Sequence, residues 1–111
     1  MTDWTENFSG AITVCDENFI ITYMNKKSKM TFETPETGNL IGKNLFDFHN
    51  ENSKNIILRI KETKSPNIYT IEKNGIKKII YQSPIYDNDV FKGMVELSLE
   101  IPFDIPHFKR D

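Results

Sequence analysis

Residues 67–101, NIYTIEKNGIKKIIYQSPIYDNDVFKGMVELSLEI, decide the fold. Period-two patterning from Asn67 to Lys73 is that of a half-buried strand. Asn74-Gly75 follows, the pair that best accepts the positive φ angles of a two-residue hairpin turn. Residues 76–86 are its partner strand, and Pro84, which has no N–H to give a ladder, marks a bulge or bend late in it. Asp87-Asn88-Asp89 makes a second turn. In the final strand Val95, Leu97, Leu99 and Ile101 share one face, while Glu96, Ser98 and Glu100 share the other. The stretch is a three-strand antiparallel meander.

Upstream, Ser65-Pro66 stops a helix over residues 54–63, capped by Asn52 or Ser53, with Ile56, Ile57 and Ile60 on one face. Lys61 and Lys64 suit the negative end of its dipole. Residues 44–48 form a further helical turn, and residues 26–42 read as short helical turns and loops interrupted by Pro35. Residues 11–15 and 19–25 are two short strands joined by the polar break Asp16-Glu17-Asn18, hence antiparallel neighbours. Asp3 caps a short opening helix that sets Trp4 and Phe8 one turn apart. Two strands, a helical stretch and three strands make an α+β domain, with short helices covering one face of a five-stranded antiparallel sheet. It is a single domain over residues 1–111, with a cap segment at 1–10 and an irregular tail at 102–111 holding two prolines.

Composition narrows the function. The 111 residues carry 14 Lys+Arg against 16 Asp+Glu, a formal charge of −2, which gives a polyanion no footprint and argues against nucleic acid. No apolar run approaches the ~20 residues of a membrane span. The polar, acidic start MTDWTENFSG is neither a secretory signal nor a transit peptide. A single cysteine forms no internal disulfide and fits a reducing, cytoplasmic setting.

The order of elements, with its local motifs, resembles the PAS sensor-domain family over nearly the whole chain. CDENFIITYMNKKS looks like the family's opening hairpin, LIGKNLF (40–46) its short Gly-Lys-x-Leu helix, and Asp87 to Gly93 followed by MVELSLEI its final turn and strand. FDFHNENS resembles small bacterial PAS proteins with a histidine just before the long helix. The resemblance implies a PAS-like five-stranded sheet, a pocket between sheet and helices, and a role in sensing or regulated assembly. It implies no particular ligand, because the fold hosts haem, flavin, small acids or nothing. Light-sensing flavin members need a cysteine where Leu45 stands, so a flavin photo-adduct is excluded.

The expected pocket lies between the isoleucine face of Ile56, Ile57 and Ile60 and the apolar row of the last strand, Leu97 and Leu99. Phe46 and Phe48 close one end, and Leu45, Tyr69, Ile71 and Tyr81 border it, a tyrosine serving as polar contact. The alternation does not settle whether Ile79 and Tyr81, or Ile80 and Gln82, face inward. His49 is the one side chain in that region suited to bind iron. Without a second ligand at metal spacing, a structural histidine bonded to Asp47 or to loop backbone is the stronger reading, and haem ranks behind apolar or weakly acidic metabolites. Cys15 reads as a buried small hydrophobe. Glu96 and Glu100 read as solvated, or paired with Lys77 or Lys78. No nucleophile, base and orienting acid come together, so the expectation is a non-enzymatic sensor without metal. Trp4 and Phe8, on a helix too short to stand alone, are the expected homodimer contact, with Trp4 covering its own sheet as the equal alternative. Behind the ligand-binding sensor stand a ligand-free interaction or dimerisation module and, remotely, a small α+β enzyme.

Overall fold

The computed structural model of the chain describes residues 3–111; Met1 and Thr2 of the expected cap segment lie outside the described residues. Asp3 caps helix α1 (Trp4–Asn7), its carboxylate accepting from the N–H groups of Thr5 and Glu6. Four residues cannot hold a helix by themselves. Polar ties do it: the Asn25 amide donates to the Thr5 carbonyl and the Tyr23 hydroxyl to Glu6, each at 2.9 Å, and Lys26 Nζ donates to Asn7 Oδ1 at 3.1 Å. Strands β1 (Ala11–Asp16) and β2 (Ile21–Met24) follow. In their turn Asp16 Oδ1 accepts from the N–H groups of Asn18 and Ile20. Phe19 sits there at φ 62°, so it is not the first strand residue that the pattern of 19–25 predicts. The turn delivers its ring to the interior, 4.6 Å from Phe46 and 5.7 Å from Phe91 between ring centres.

Asn25 caps helix α2 (Lys26–Phe32), and Asn44 caps a 3₁₀ turn at Leu45–Phe48. Helix α3 (Glu51–Thr63) begins three residues earlier than expected, because the chain leaves the 3₁₀ turn extended through Asn50, whose side chain accepts from Ser53 N–H. Asn52 and Ser53, the expected caps, therefore lie inside the first turn. The helix ends at Lys64 in the left-handed conformation. Its C-terminal end is fastened to the sheet: the Tyr86 hydroxyl donates to the Lys61 carbonyl, and the ammonium groups of Lys61 and Lys64 lie over the rings of Phe91 and Tyr86.

Strands β3 (Asn67–Lys73), β4 (Ile76–Asp87) and β5 (Val90–Ile101) form the meander. Asn74 and Gly75 both take positive φ, as a two-residue turn of this hand requires. The five strands are antiparallel in the order β2-β1-β5-β4-β3. Residues paired across a ladder point to one side. Ala11, Ser98, Ile80 and Tyr69 thus form a row facing the helices, and Ile12, Leu97, Tyr81 and Ile68 form the next row, facing away.

That register overturns one expectation. Leu97 and Leu99 do not meet the helix isoleucines, and Tyr81 does not border the pocket; all three lie on the outer face. The cause is a bulge. Tyr86 pairs with Phe91 but Ile85 pairs with Gly93, leaving Lys92 without a residue opposite. Carried on without that shift, the ladder would set Gln82 against Val95 and turn the aliphatic row of β5 inward. One extra residue exchanges the two faces. The core gathers instead at the opposite end of the inner face, where Cys15, Ile21, Met24 and Met94 meet Leu40, Leu45, Ile57 and Ile60.

Candidate functional site

Because α3 is fastened at its C-terminal end, its first turns stand over a part of the sheet where the inner face is polar. Between them lies a cleft of about 660 Å³. Ile56 and Ile57 form its roof, Phe32 of α2 one wall, and Tyr69, Ile71 and Ile80 the apolar part of its floor. A second chamber of about 260 Å³, bounded by Leu45, Phe48 and Met24, shares Phe32, His49 and Glu96 with the first.

A row of hydrogen bonds crosses three neighbouring strands on this floor. Asn67 Nδ2 donates to Gln82 Oε1 at 3.0 Å, and Gln82 Nε2 donates to Glu96 Oε2 at 3.1 Å. Gln82 is buried and both ends of its amide are engaged, so its orientation is fixed. Glu96 terminates the row; among the described residues its carboxylate takes that one side-chain hydrogen bond and joins no ion pair. Burial raises the pKa of the Tyr69 phenol, and the negative charge of Glu96 adds to the shift, so the hydroxyl remains a neutral donor and acceptor. Lys73 and Lys78 border the opposite end.

His49 borders both chambers, and its Nδ1 lies 2.7 Å from the Leu45 carbonyl. A carbonyl only accepts, so Nδ1 carries the proton and, in the neutral ring, Nε2 is left as an acceptor. The imidazole thus closes the 3₁₀ turn through loop backbone, the structural bond weighed from sequence, while remaining at the cleft wall. Cys15 is buried, and desolvation pushes its thiol up to about 11, which keeps it protonated and unreactive. Among the described residues no group of three or more His, Cys, Asp or Glu is arranged to hold a metal ion.

The residues singled out in the sequence divide four ways. Ile56, Ile57, Tyr69, Ile71 and His49 border the larger cleft; Leu45 and Phe48 border the smaller chamber. Ile60 is buried beneath them in the core. Tyr81, Leu97 and Leu99 lie behind the sheet. Trp4 is 69% exposed and meets Phe8 edge to face, so it does not cover its own sheet. Glu96 is where sequence reasoning fell short: it faces the cleft, not open solvent; Glu100 stands opposite Lys78 in the ladder as expected, but its ion pair is with Lys27. Half of the polar row was within reach, since the Asn74-Gly75 turn by itself dictates that Asn67 opposes Gln82. The step to Glu96 runs through the bulge.

No family model matches the chain, and no curated protein matches its sequence. Solved structures do. The PAS domain of the histidine kinase ThkA superposes with a TM-score of 0.65 at 21% identity, over 81% of this chain and 97% of that one. The PAS domain of a protein from Colwellia psychrerythraea gives 0.62 at 22% identity, over 88% and 91%. A structure of the Aer2 receptor from Vibrio cholerae, described as a dual PAS-heme oxygen sensor, gives 0.61 at 17% identity, over 85% and 96%. The chain has the PAS fold. No helix among the described residues is long and apolar enough to cross a membrane.

Proposed function

We propose that this PAS-fold chain is a non-catalytic sensory module that binds a small molecule in the cleft and signals through protein association. The observation that carries the reading is the cleft itself: an apolar roof over a floor whose few polar groups are already oriented, which is how small-molecule sites combine affinity with selectivity. The floor also favours a small organic ligand over haem. The face of a porphyrin laid on it would strip water from the Glu96 carboxylate and return no hydrogen bond to it.

A plug tests this. Ile57 is 2% exposed and packed on all sides, so enlarging it would strain the core. Ile56 is half-buried at the roof and has room. Ligand-observed NMR with a library of small aromatic and aliphatic fragments is expected to give binders for the wild type, and none of these should bind Ile56→Trp. Fragments that bind both proteins equally would place the site elsewhere. An absence of binders would favour the second reading, a ligand-free association module.

Association has its own support. The outer sheet face exposes Ile68 and Tyr81 beside the half-buried Leu97, Leu99 and Ile79; Phe8 and Leu99 both lie against Gly10, and the exposed Trp4 meets Phe8 edge to face. A second copy of the chain presenting the same face is the proposed occupant, since such a contact is self-complementary. Analytical ultracentrifugation is expected to give a dimer that reverts to monomer in both Trp4→Glu and Leu97→Glu. A wild type that sediments as a monomer at 100 µM (on the order of a hundred times a micromolar Kd) rules the homodimer out and leaves a signalling partner protein as the occupant.

A further inference from the structure

Glu96 is at odds with its surroundings. Its carboxylate lies on the cleft floor among Ile80, Tyr69 and the isoleucine roof, yet among the described residues it meets no lysine, arginine or histidine within ion-pair distance. Glu96 is half-buried, and a carboxylate facing an apolar cleft is a ready partner for a cation or for further donors. The protein supplies one side-chain donor, the Gln82 amide, to Oε2. Oε1 has no side-chain partner among the described residues, and the carboxylate borders both chambers.

The lysines of the same cleft do not fill the role. Lys78 lies on the inner face four residues along β4 from Gln82, about 13 Å away at the rise of an extended strand. His49 borders the same cleft but stands beyond ion-pair distance of Glu96. The Glu96 end of the cleft therefore offers acceptors, with aromatic and aliphatic walls around them, and the Lys73 and Lys78 end offers positive charge.

We propose that the cleft selects ligands carrying a primary ammonium group on a compact apolar body, the ammonium seated on Glu96. This deepens the small-molecule reading above and rests on it. The Asn67–Gln82–Glu96 row acts as a positioning device: because Gln82 is held at both ends, the carboxylate is fixed before the ligand arrives, and little ordering cost remains for binding. An ammonium donates through N–H, and Glu96 Oε1, which has no side-chain partner among the described residues, is a charged acceptor for it. A carboxylate ligand at this end would meet like charge.

The test uses two probes of one shape, phenethylamine and 2-phenylethanol, titrated into the full chain by heteronuclear NMR. The amine is expected to bind at least tenfold more tightly and to shift the backbone resonances of Gln82 and Glu96. In Glu96→Gln the new amide oxygen still accepts from Gln82, so the row persists while the charge is gone; the amine should fall to the affinity of the alcohol. Equal affinities in the wild type, or a preference that survives Glu96→Gln, would overturn the proposal. The wild-type comparison does not depend on the variant folding. Alcohol bound in the cleft without an amine preference would leave the small-molecule reading intact and remove only the ammonium. Failure of both probes to bind at millimolar concentration would count against both.

Discussion

Asn25→Asp is expected to cost more stability than any other single-atom exchange in this chain. Asn25 is 0% exposed and spends its whole amide on backbone. Oδ1 accepts from Ile12 N–H at 3.0 Å and from Ser28 N–H at 2.9 Å, while Nδ2 donates to the carbonyls of Thr5 and Gly10, both at 2.9 Å. One side chain thereby caps α2, receives β1 and anchors α1. The aspartate variant keeps the two accepted bonds and turns a buried oxygen toward two carbonyls. Each buried group left without a partner costs ~1–3 kcal/mol; the Thr5 carbonyl keeps the Phe8 N–H, so the Gly10 carbonyl and the introduced oxygen together cost about 2–6 kcal/mol. That is a large share of the ~5–15 kcal/mol that holds a domain of this kind together. Urea denaturation at pH 7 measures it. The sign of the pH dependence is a second check. Burial against carbonyl oxygens raises the folded-state pKa of the introduced carboxyl, so its protonated form is favoured by folding and the deficit should shrink as pH falls towards 4. A variant within about 1 kcal/mol of wild type at pH 7 would mean that water reaches the site. Asn25→Ala should also fall well below wild type, without that pH dependence.

Gly93→Ala is expected to damage the sheet at its centre. Gly93 follows the bulge residue Lys92 and has φ 139°, a conformation that residues with a Cβ rarely adopt. A Cβ built there would lie 2.0 Å from the Cys15 carbonyl oxygen, which is backbone and has no rotamer by which to yield. β1 and β5 must separate, or the bulge must move. Strain of this kind, with the loss of the adjacent ladder bonds, puts the cost at about 3–5 kcal/mol. If the bulge slides out instead, the register of β5 shifts by one residue and Leu97 turns toward the helices. Amide exchange and the β1–β5 cross-strand NOEs distinguish the two outcomes. A variant with wild-type stability and an unchanged Cys15–Met94 pairing would show that the close approach is not a constraint.

The same bulge marks the boundary between what was legible in the sequence and what was not. Local signals are short-range physics, and they carried most of the secondary structure. Asn74-Gly75 dictated its hairpin and thereby the pairing of Asn67 with Gln82, since a two-residue turn leaves no freedom in register. Asp3 capped its helix, Pro66 followed the end of another, and α3 still appeared although its cap fell at Asn50. The alternation of β5 was equally plain, and it established that Val95, Leu97 and Leu99 share a face. Which face that is depended on tertiary structure. A strand with two distinct sides says nothing about which side the helices will cover, and here a single unpaired residue, Lys92, exchanged them. With that exchange the aliphatic row became an outer surface and Glu96 became the floor of the cleft. The volume of the cleft, the isolation of the Glu96 carboxylate and the tie from His49 to Leu45 arise from contacts between segments far apart in the chain or from the path of a turn. They have no local signature because their energies exist only once the sheet has closed against the helices.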